Sequence, residues 1–256
     1  MRSLEELREL VEGALEEIRL APELGGLEDA VRYALDGGGK RIRPVLALAV
    51  GEAAGAEVQA CLPAALALEL VHTFSLVHDD LPALDDDDER RGRPSAHVAH
   101  GEGVALLAGD ALLAEAFRLA LAYETPAVAR ELAAATLGMI GGQFRDVTGD
   151  DRDLAALHRL KTGCLFGAAV GLPLWVAGVP EPEQAPWRAF SDELGLLFQL
   201  VDDVLDGDGY AAMHGVEAAR GLADEAAARA LGRLAELRAE TAVLEELVHG
   251  LAARTS

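Results

Sequence analysis

Apolar positions recur at spacings of three and four almost from the first residue. Leu4, Leu7, Val11, Leu15 and Ile18 fall on one face of a helix. In front of them Ser3-Leu4-Glu5-Glu6 reads as a capping box, hydroxyl and carboxylate each meeting a free backbone N–H. The same period predicts a helix near Leu27–Leu35 that stops at Gly37-Gly38-Gly39, then one with Pro44 in its first turn running toward Gly51–Gly55. The next starts near Ala60 and is broken or kinked at Pro82. Further helices are expected at Val104–Tyr123, at Pro126–Thr148 behind a Thr125 cap, at Leu154–Val170 and, after the turn-rich Pro180–Pro186, at Phe190–Leu205. Two more fill the stretch from Val216 to Ala253. No segment alternates with the period of a strand, and neither a short repeat nor a linker composition interrupts the pattern. The expectation is a single all-α domain over residues 1–256, a bundle of about ten helices.

Composition agrees with helix and narrows the partners. Apolar residues make up 51% and aromatics only 4%, so strand formers are scarce. A net charge of −22 argues against nucleic acid and against an anionic membrane surface. An anionic substrate would need local basic groups or bound metal to reverse that field. Cys61 and Cys164 sit in apolar stretches without a CxxC partner, as small buried residues of a reducing compartment. The amphipathic, acidic start is unlike a signal peptide. The longest apolar run, Cys61–Val77, is interrupted by Glu69 and His72, so no transmembrane segment is expected and the location reads as cytoplasmic.

Candidate chemistry lies in two aspartate-rich clusters. Asp79 and Asp80 precede Asp85, and Arg90-Arg91-Gly92 follows; far along the chain come Gln199, Asp202, Asp203 and Asp206. Each ends an apolar helical stretch, where carboxylates oppose the helix dipole and need compensation. Hard cations with oxygen ligands supply it, and Mg²⁺ usually shares its shell with substrate phosphates. Acid for metal beside guanidinium for phosphate is a pairing that diphosphate binding needs. The turn Gly37–Gly39 leads to Lys40, Arg41 and Arg43 ahead of a helix, a plausible anion seat that lacks the P-loop spacing. Lysine occurs twice in the whole chain, as Lys40 and Lys161. Lys161 reads as a snorkelling surface lysine unless the acidic helices flank it. His72 shares the Asp79 face but by itself reads as a core histidine. No nucleophile–base pair stands out.

Taken together and in order, these segments resemble the trans-isoprenyl diphosphate synthases, the polyprenyl synthetases, over nearly the whole chain. The resemblance implies an isoprenoid synthase-like bundle around a central apolar cavity, working as a homodimer. It implies three Mg²⁺ ions held by Asp79, Asp80, Asp85, Asp202, Asp203 and Asp206. Lys40, Arg43, His72 and Arg91 would seat isopentenyl diphosphate; Arg90, Lys161, Thr162 and Gln199 would hold the allylic diphosphate. Asp79, Asp80, Asp85, Lys161 and Asp202 are the catalytic set it implies.

Phe74 lies five residues before Asp79, deeper on the same side, and the resemblance makes it the floor of the product tunnel. With two extra residues in the first motif the pattern is that of a bacterial farnesyl diphosphate synthase, geranylgeranyl diphosphate being the alternative product. Family members usually continue past the second motif through a lysine-bearing loop. Here Asp206–His214 is short and contains no lysine. Two rival readings are a class I terpene cyclase, which takes no second diphosphate, and a non-catalytic subunit of a heteromeric synthase.

Overall fold

The computed structural model describes residues 1–149 and 154–255. In these the chain forms thirteen α-helices. The long ones are α1 (Leu4–Glu16), α3 (Ile42–Ala53), α4 (Val58–Asp79), α6 (Glu102–Ala120), α7 (Ala127–Val147), α9 (Cys164–Val176), α10 (Ala185–Asp206), α12 (Val216–Ala235) and α13 (Ala242–Ala252). The excess over ten lies in short pieces. Helices α5 (Ala96–His100) and α11 (Gly209–His214) have too few residues for a periodicity to register, and a π turn at Arg159–Gly163 separates α8 (Leu154–His158) from α9. Helix α2 (Glu28–Leu35) completes the set.

The expected capping box closes α1: Ser3 Oγ accepts from Glu6 N at 3.2 Å, and Glu6 accepts from Ser3 N at 2.7 Å. Leu7, Val11 and Leu15 are buried as the pattern required. Helix α4 runs through the middle, packed by α3, α6 and α9, with α10 on α9 and α12. Its 22 residues are long and apolar enough to cross a membrane by length and composition, but 67% of that window is buried inside the protein. A helix apolar on all sides needs such surroundings. Pro63 lies within α4, and there the Tyr123 hydroxyl inserts into the helix, accepting from Ala64 N (3.0 Å) and donating to Ala60 O (2.7 Å).

Helix α4 ends at Asp79, three residues before Pro82. The following loop folds back, Asp85 N donating to Asp79 O at 2.9 Å and Asp87 N to Asp80 O at 3.2 Å. It leads into a hairpin that no alternating pattern announced, β1 (Glu89–Arg90) against β2 (Arg93–Pro94). Its two-residue turn has positive φ at both positions, Arg91 at 56° and Gly92 at 76°, the form whose twist suits a tight hairpin. At the far acidic cluster Gly207, at φ 74°, caps α10 in the left-handed conformation, and α11 follows at once.

Candidate active site

The acidic clusters sit at the C-termini of α4 and α10, where their charge is unfavourable, and each has found a partner. Asp80 is 3% exposed and takes a forked contact from the Arg90 guanidinium, with Nε at 2.9 Å from Oδ1. Asp203 is 1% exposed and accepts from Gln199 Nε2 at 2.6 Å and from Tyr210 N at 2.8 Å. Asp202 faces Arg254 at 3.5 Å, a residue near the end of the chain that sequence reasoning passed over. Burial raises the Asp202 carboxyl above its ordinary value, with Arg254 pulling the other way. Asp79 has less help. Burial lifts its carboxyl to about 6 against the pull of Lys161, and Asp85 adds to the rise.

The hairpin turn aims Arg90 and Arg91 at opposite sides. While Arg90 reaches Asp80, Arg91 donates to the Gly38 carbonyl, close enough that a Cβ on Gly39 would meet its guanidinium. Two braces fix the hairpin: the Tyr33 hydroxyl donates to Pro94 O at 2.7 Å, and Arg93 stacks over the Tyr33 ring at 4.2 Å while donating to Asp36 O.

A cavity of about 330 Å³ lies beside Arg90 and Arg91, lined further by Arg43, His72, Thr162 and Asp202. Arg43 packs over Phe166 and Phe198, at 4.9 and 5.4 Å, and approaches His72 Nε2 at 3.4 Å. A guanidinium can only donate, so Nε2 accepts and the His72 proton is on Nδ1. Burial, with Arg43 next, drives His72 well below its usual value, so the ring is neutral. Burial also lowers Arg43, whose Nε has no hydrogen-bond partner among the described residues. This corner is a pocket in which three guanidinium groups outnumber the carboxylates of Glu89 and Asp202.

Arg43, His72, Leu76 and Thr162 also form part of the wall of a second cavity of about 480 Å³, mostly apolar. Asp79, Lys161, Phe74, Met139, Ile140 and Phe144 line it further. Lys161 is therefore not a surface lysine on a plain helix. The π turn presents it to this cavity, where it pairs with Asp146 of α7, a partner fifteen residues away in sequence that was not anticipated. Gly142 lets α7 touch that turn, since a Cβ there would lie 2.5 Å from Lys161 N. Phe74 stands edge-on to His78 at 4.9 Å, five residues below Asp79.

Not every predicted residue converges. Arg41 is 4% exposed and bound to Glu69 (2.6 Å), Glu12 (3.0 Å) and Leu35 O (2.8 Å), so it leaves the anion seat. Lys40 is exposed and lines a neighbouring cavity with Arg254, apart from Arg43. Gln199 lines a third cavity, of about 560 Å³, and is tied to Asp203. Asp85 and Asp206 are exposed at the rims.

Among the described residues, no three His, Cys, Asp or Glu groups form a ready metal cage. The donors are nonetheless all carboxylate oxygens shared between two elements, and Asp79 is short of positive charge. Such a set fits Mg²⁺, which completes its shell with water and substrate oxygens in place of a protein cage.

A helical bundle that places divided carboxylates and guanidinium groups at the head of an apolar cavity defines an enzyme for substrates with an anionic head and a hydrocarbon tail. The polyprenyl synthetase family model matches residues 25–248, and the chain belongs to that family and is an enzyme of it. It is similar to the farnesyl diphosphate synthase of Bacillus subtilis (strain 168), 40% identical over 198 residues, covering 72% of this chain and 67% of the relative. The geranylgeranyl diphosphate synthase of Cyanophora paradoxa is 41% identical over 219 residues, 79% of this chain and 73% of its own. The solved geranyltranstransferase of Thermotoga maritima superposes with a TM-score of 0.87 at 30% identity, covering 98% of each chain.

Proposed function

We propose that this chain is a short-chain trans-prenyltransferase that joins isopentenyl diphosphate to dimethylallyl and geranyl diphosphate, releasing farnesyl diphosphate. The observation that carries it is the shared wall of the two cavities: Arg43, His72 and Thr162 separate a cationic pocket from an apolar one. Two diphosphates need two seats, which a terpene cyclase has no use for. Geranylgeranyl diphosphate is the second reading, favoured by relatives of that activity at equal identity.

Arg43, His72 and Arg91, with Lys40 reaching in from its neighbouring cavity, seat isopentenyl diphosphate. Neutral His72 donates without adding charge, and the unpaired Nε of Arg43 gains the acceptor it lacks. Arg90, Lys161 and Thr162 hold the allylic diphosphate; Gln199 joins them by turning from Asp203. Asp79, Asp80, Asp85, Asp202, Asp203 and Asp206 would hold Mg²⁺, for which we propose three ions. Bound there, the metal supplies positive charge to the departing diphosphate. Phe74 ends the tunnel and sets the chain length.

The allylic C–O bond breaks with its electron pair leaving on the diphosphate. The π electrons of isopentenyl diphosphate then form the new bond to the allylic carbon, and the product cation loses a proton to the released diphosphate. The apolar wall of Phe74, Met139 and Leu165 keeps water from the cation. A homodimer is the assembly we propose: Leu106 and Leu107 of α6 and Leu137 and Phe144 of α7 are 47 to 70% exposed, an apolar face suited to a second copy. In this reading α4 is a core helix and the enzyme works in the cytoplasm.

The test is incubation of purified protein with Mg²⁺, isopentenyl diphosphate and dimethylallyl, geranyl or farnesyl diphosphate, followed by sizing of the products. Fifteen-carbon product from the first two primers is expected. Failure to condense with any primer overturns the reading.

A further inference from the structure

Arg43 belongs to the walls of both cavities, yet among the described residues no carboxylate lies within ion-pair distance of it. Its one hydrogen-bond contact among them is to His72 Nε2, at 3.4 Å. Glu69 and Asp202 attract it from further off, and each is engaged elsewhere. Glu69 accepts from Arg41 at 2.6 Å, and Asp202 faces Arg254 at 3.5 Å. Arg43 also stands in the first turn of α3, the end of a helix where the dipole disfavours a cation. With burial against it as well, the charge needs something to hold it.

Two rings do. The guanidinium carbon lies 4.9 Å from the ring centre of Phe166 on α9 and 5.4 Å from that of Phe198 on α10, both within cation–π reach. The rings are themselves 4.9 Å apart and inclined at 45°, a V that meets one cation with both arms. Phe198 is part of the wall of the 330 Å³ cavity, whereas Phe166 is 0% exposed and cannot meet a substrate. One helix turn after Phe198 comes Asp202, on the same face of α10 and the same cavity wall. Helix α10 thus offers Arg43 a carboxylate and a π face, and the carboxylate is the one assigned above to the metal.

The two kinds of partner hold a guanidinium differently. A carboxylate accepts from its N–H groups, and an incoming diphosphate must displace it. A π face attracts the charge and leaves no competing acid on the nitrogens that a phosphate would meet. We infer that Phe166 and Phe198 are positioning residues for isopentenyl diphosphate, keeping the Arg43 guanidinium unpaired and in place for its diphosphate. The inference rests on the prenyltransferase reading above and extends the anion seat to two residues that carry no charge.

Phe198→Leu and Phe166→Leu each remove a π face and keep an apolar side chain; the first is the milder change, because Phe198 is only partly buried. Each should raise the KM for isopentenyl diphosphate about 3- to 10-fold, with kcat and the allylic KM changed less than about twofold. Phe198→Tyr, which keeps the face, should behave as the unaltered protein. In an Arg43→Met background, Phe198→Leu should move that KM no further, the mark of a coupled pair. A lower thermal midpoint with the KM unmoved would make the rings core packing and overturn the inference. So would an undiminished Phe198→Leu effect without Arg43, which would mean direct contact with substrate.

Binding reads the same seat without turnover. In EDTA, inorganic pyrophosphate should bind the unaltered protein, and each leucine variant should weaken it by the same factor as its KM. Such ring-dependent binding by a protein that condenses no primer would retain the role of the rings and sink the prenyltransferase reading. Equal affinity in unaltered and leucine variants, or no binding to unaltered protein, rejects the inference.

Discussion

Arg41 donates to Glu69 at 2.6 Å, with both side chains buried, joining the start of α3 to the middle of α4. Of the three cations between residues 40 and 43, this pair takes the central one out of the substrate seat and makes it a fastener. Glu69→Gln leaves Arg41 buried with only part-exposed Glu12 to balance its charge. A loss of about 3 kcal/mol is expected in urea unfolding. If the variant unfolds at an unchanged midpoint, the pair is not what holds α3 on α4.

Phe74 is the expected limit on product length. Phe74→Ala deepens the cavity below Asp79 and should shift products from fifteen toward twenty carbons with either primer, read by chromatography after removal of the diphosphate. Products of unchanged length in a folded variant would transfer the limit to another residue of the wall.

The Asp79 carboxyl, raised by burial to about 6, gives metal-free protein a pH signature. An ordinary aspartate titrates near 3.9. Between the two values the folded state binds the more protons, so stability is fully present below about pH 4 and is lost as the pH rises through 6. The loss is up to about 3 kcal/mol for Asp79, and the raised Asp202 carboxyl adds in the same direction. Urea midpoints from pH 4 to 7 should fall in unaltered protein and flatten in Asp79→Asn. Addition of Mg²⁺ with inorganic pyrophosphate should restore stability at neutral pH. A midpoint that climbs with pH in the metal-free protein, or an unflattened Asp79→Asn profile, would show that Asp79 does not titrate as described.

Gly142→Ala puts a methyl group against backbone, 2.5 Å from Lys161 N and 2.7 Å from its Cα. No side-chain rotation relieves such a contact. The π turn must move away from α7, costing about 1–3 kcal/mol and carrying Lys161 from its place. Turnover should drop further than the loss of stability explains. Full activity would mean that the turn can shift without consequence.

What the sequence made legible follows how local each signal is. Ser3 and Glu6 are three residues apart, and their reciprocal cap was readable as written. The acidic clusters were readable because each lies within a few residues of chain, Asp202 and Asp206 one helix turn apart and Asp79 to Asp85 across the end of α4. The partner of Arg41 is 28 residues away and that of Lys161 is 15, and only packing selects among the many acids available to each. The hairpin escaped notice because its strands are two residues long and its turn puts an arginine, not only a glycine, at positive φ. The π turn has no propensity signature of its own; Gly142 on the neighbouring helix is the mark it leaves.

The scarcity of lysine has a consequence for handling the protein. Apart from the α-amino group, the amines of this chain are Lys40 and Lys161, one at each side of the proposed seats. Reagents that methylate or acylate amines, which scatter over the surface of most enzymes, would here act almost as active-site labels. Protection of either position by a bound diphosphate becomes a direct, residue-resolved report of which seat is filled.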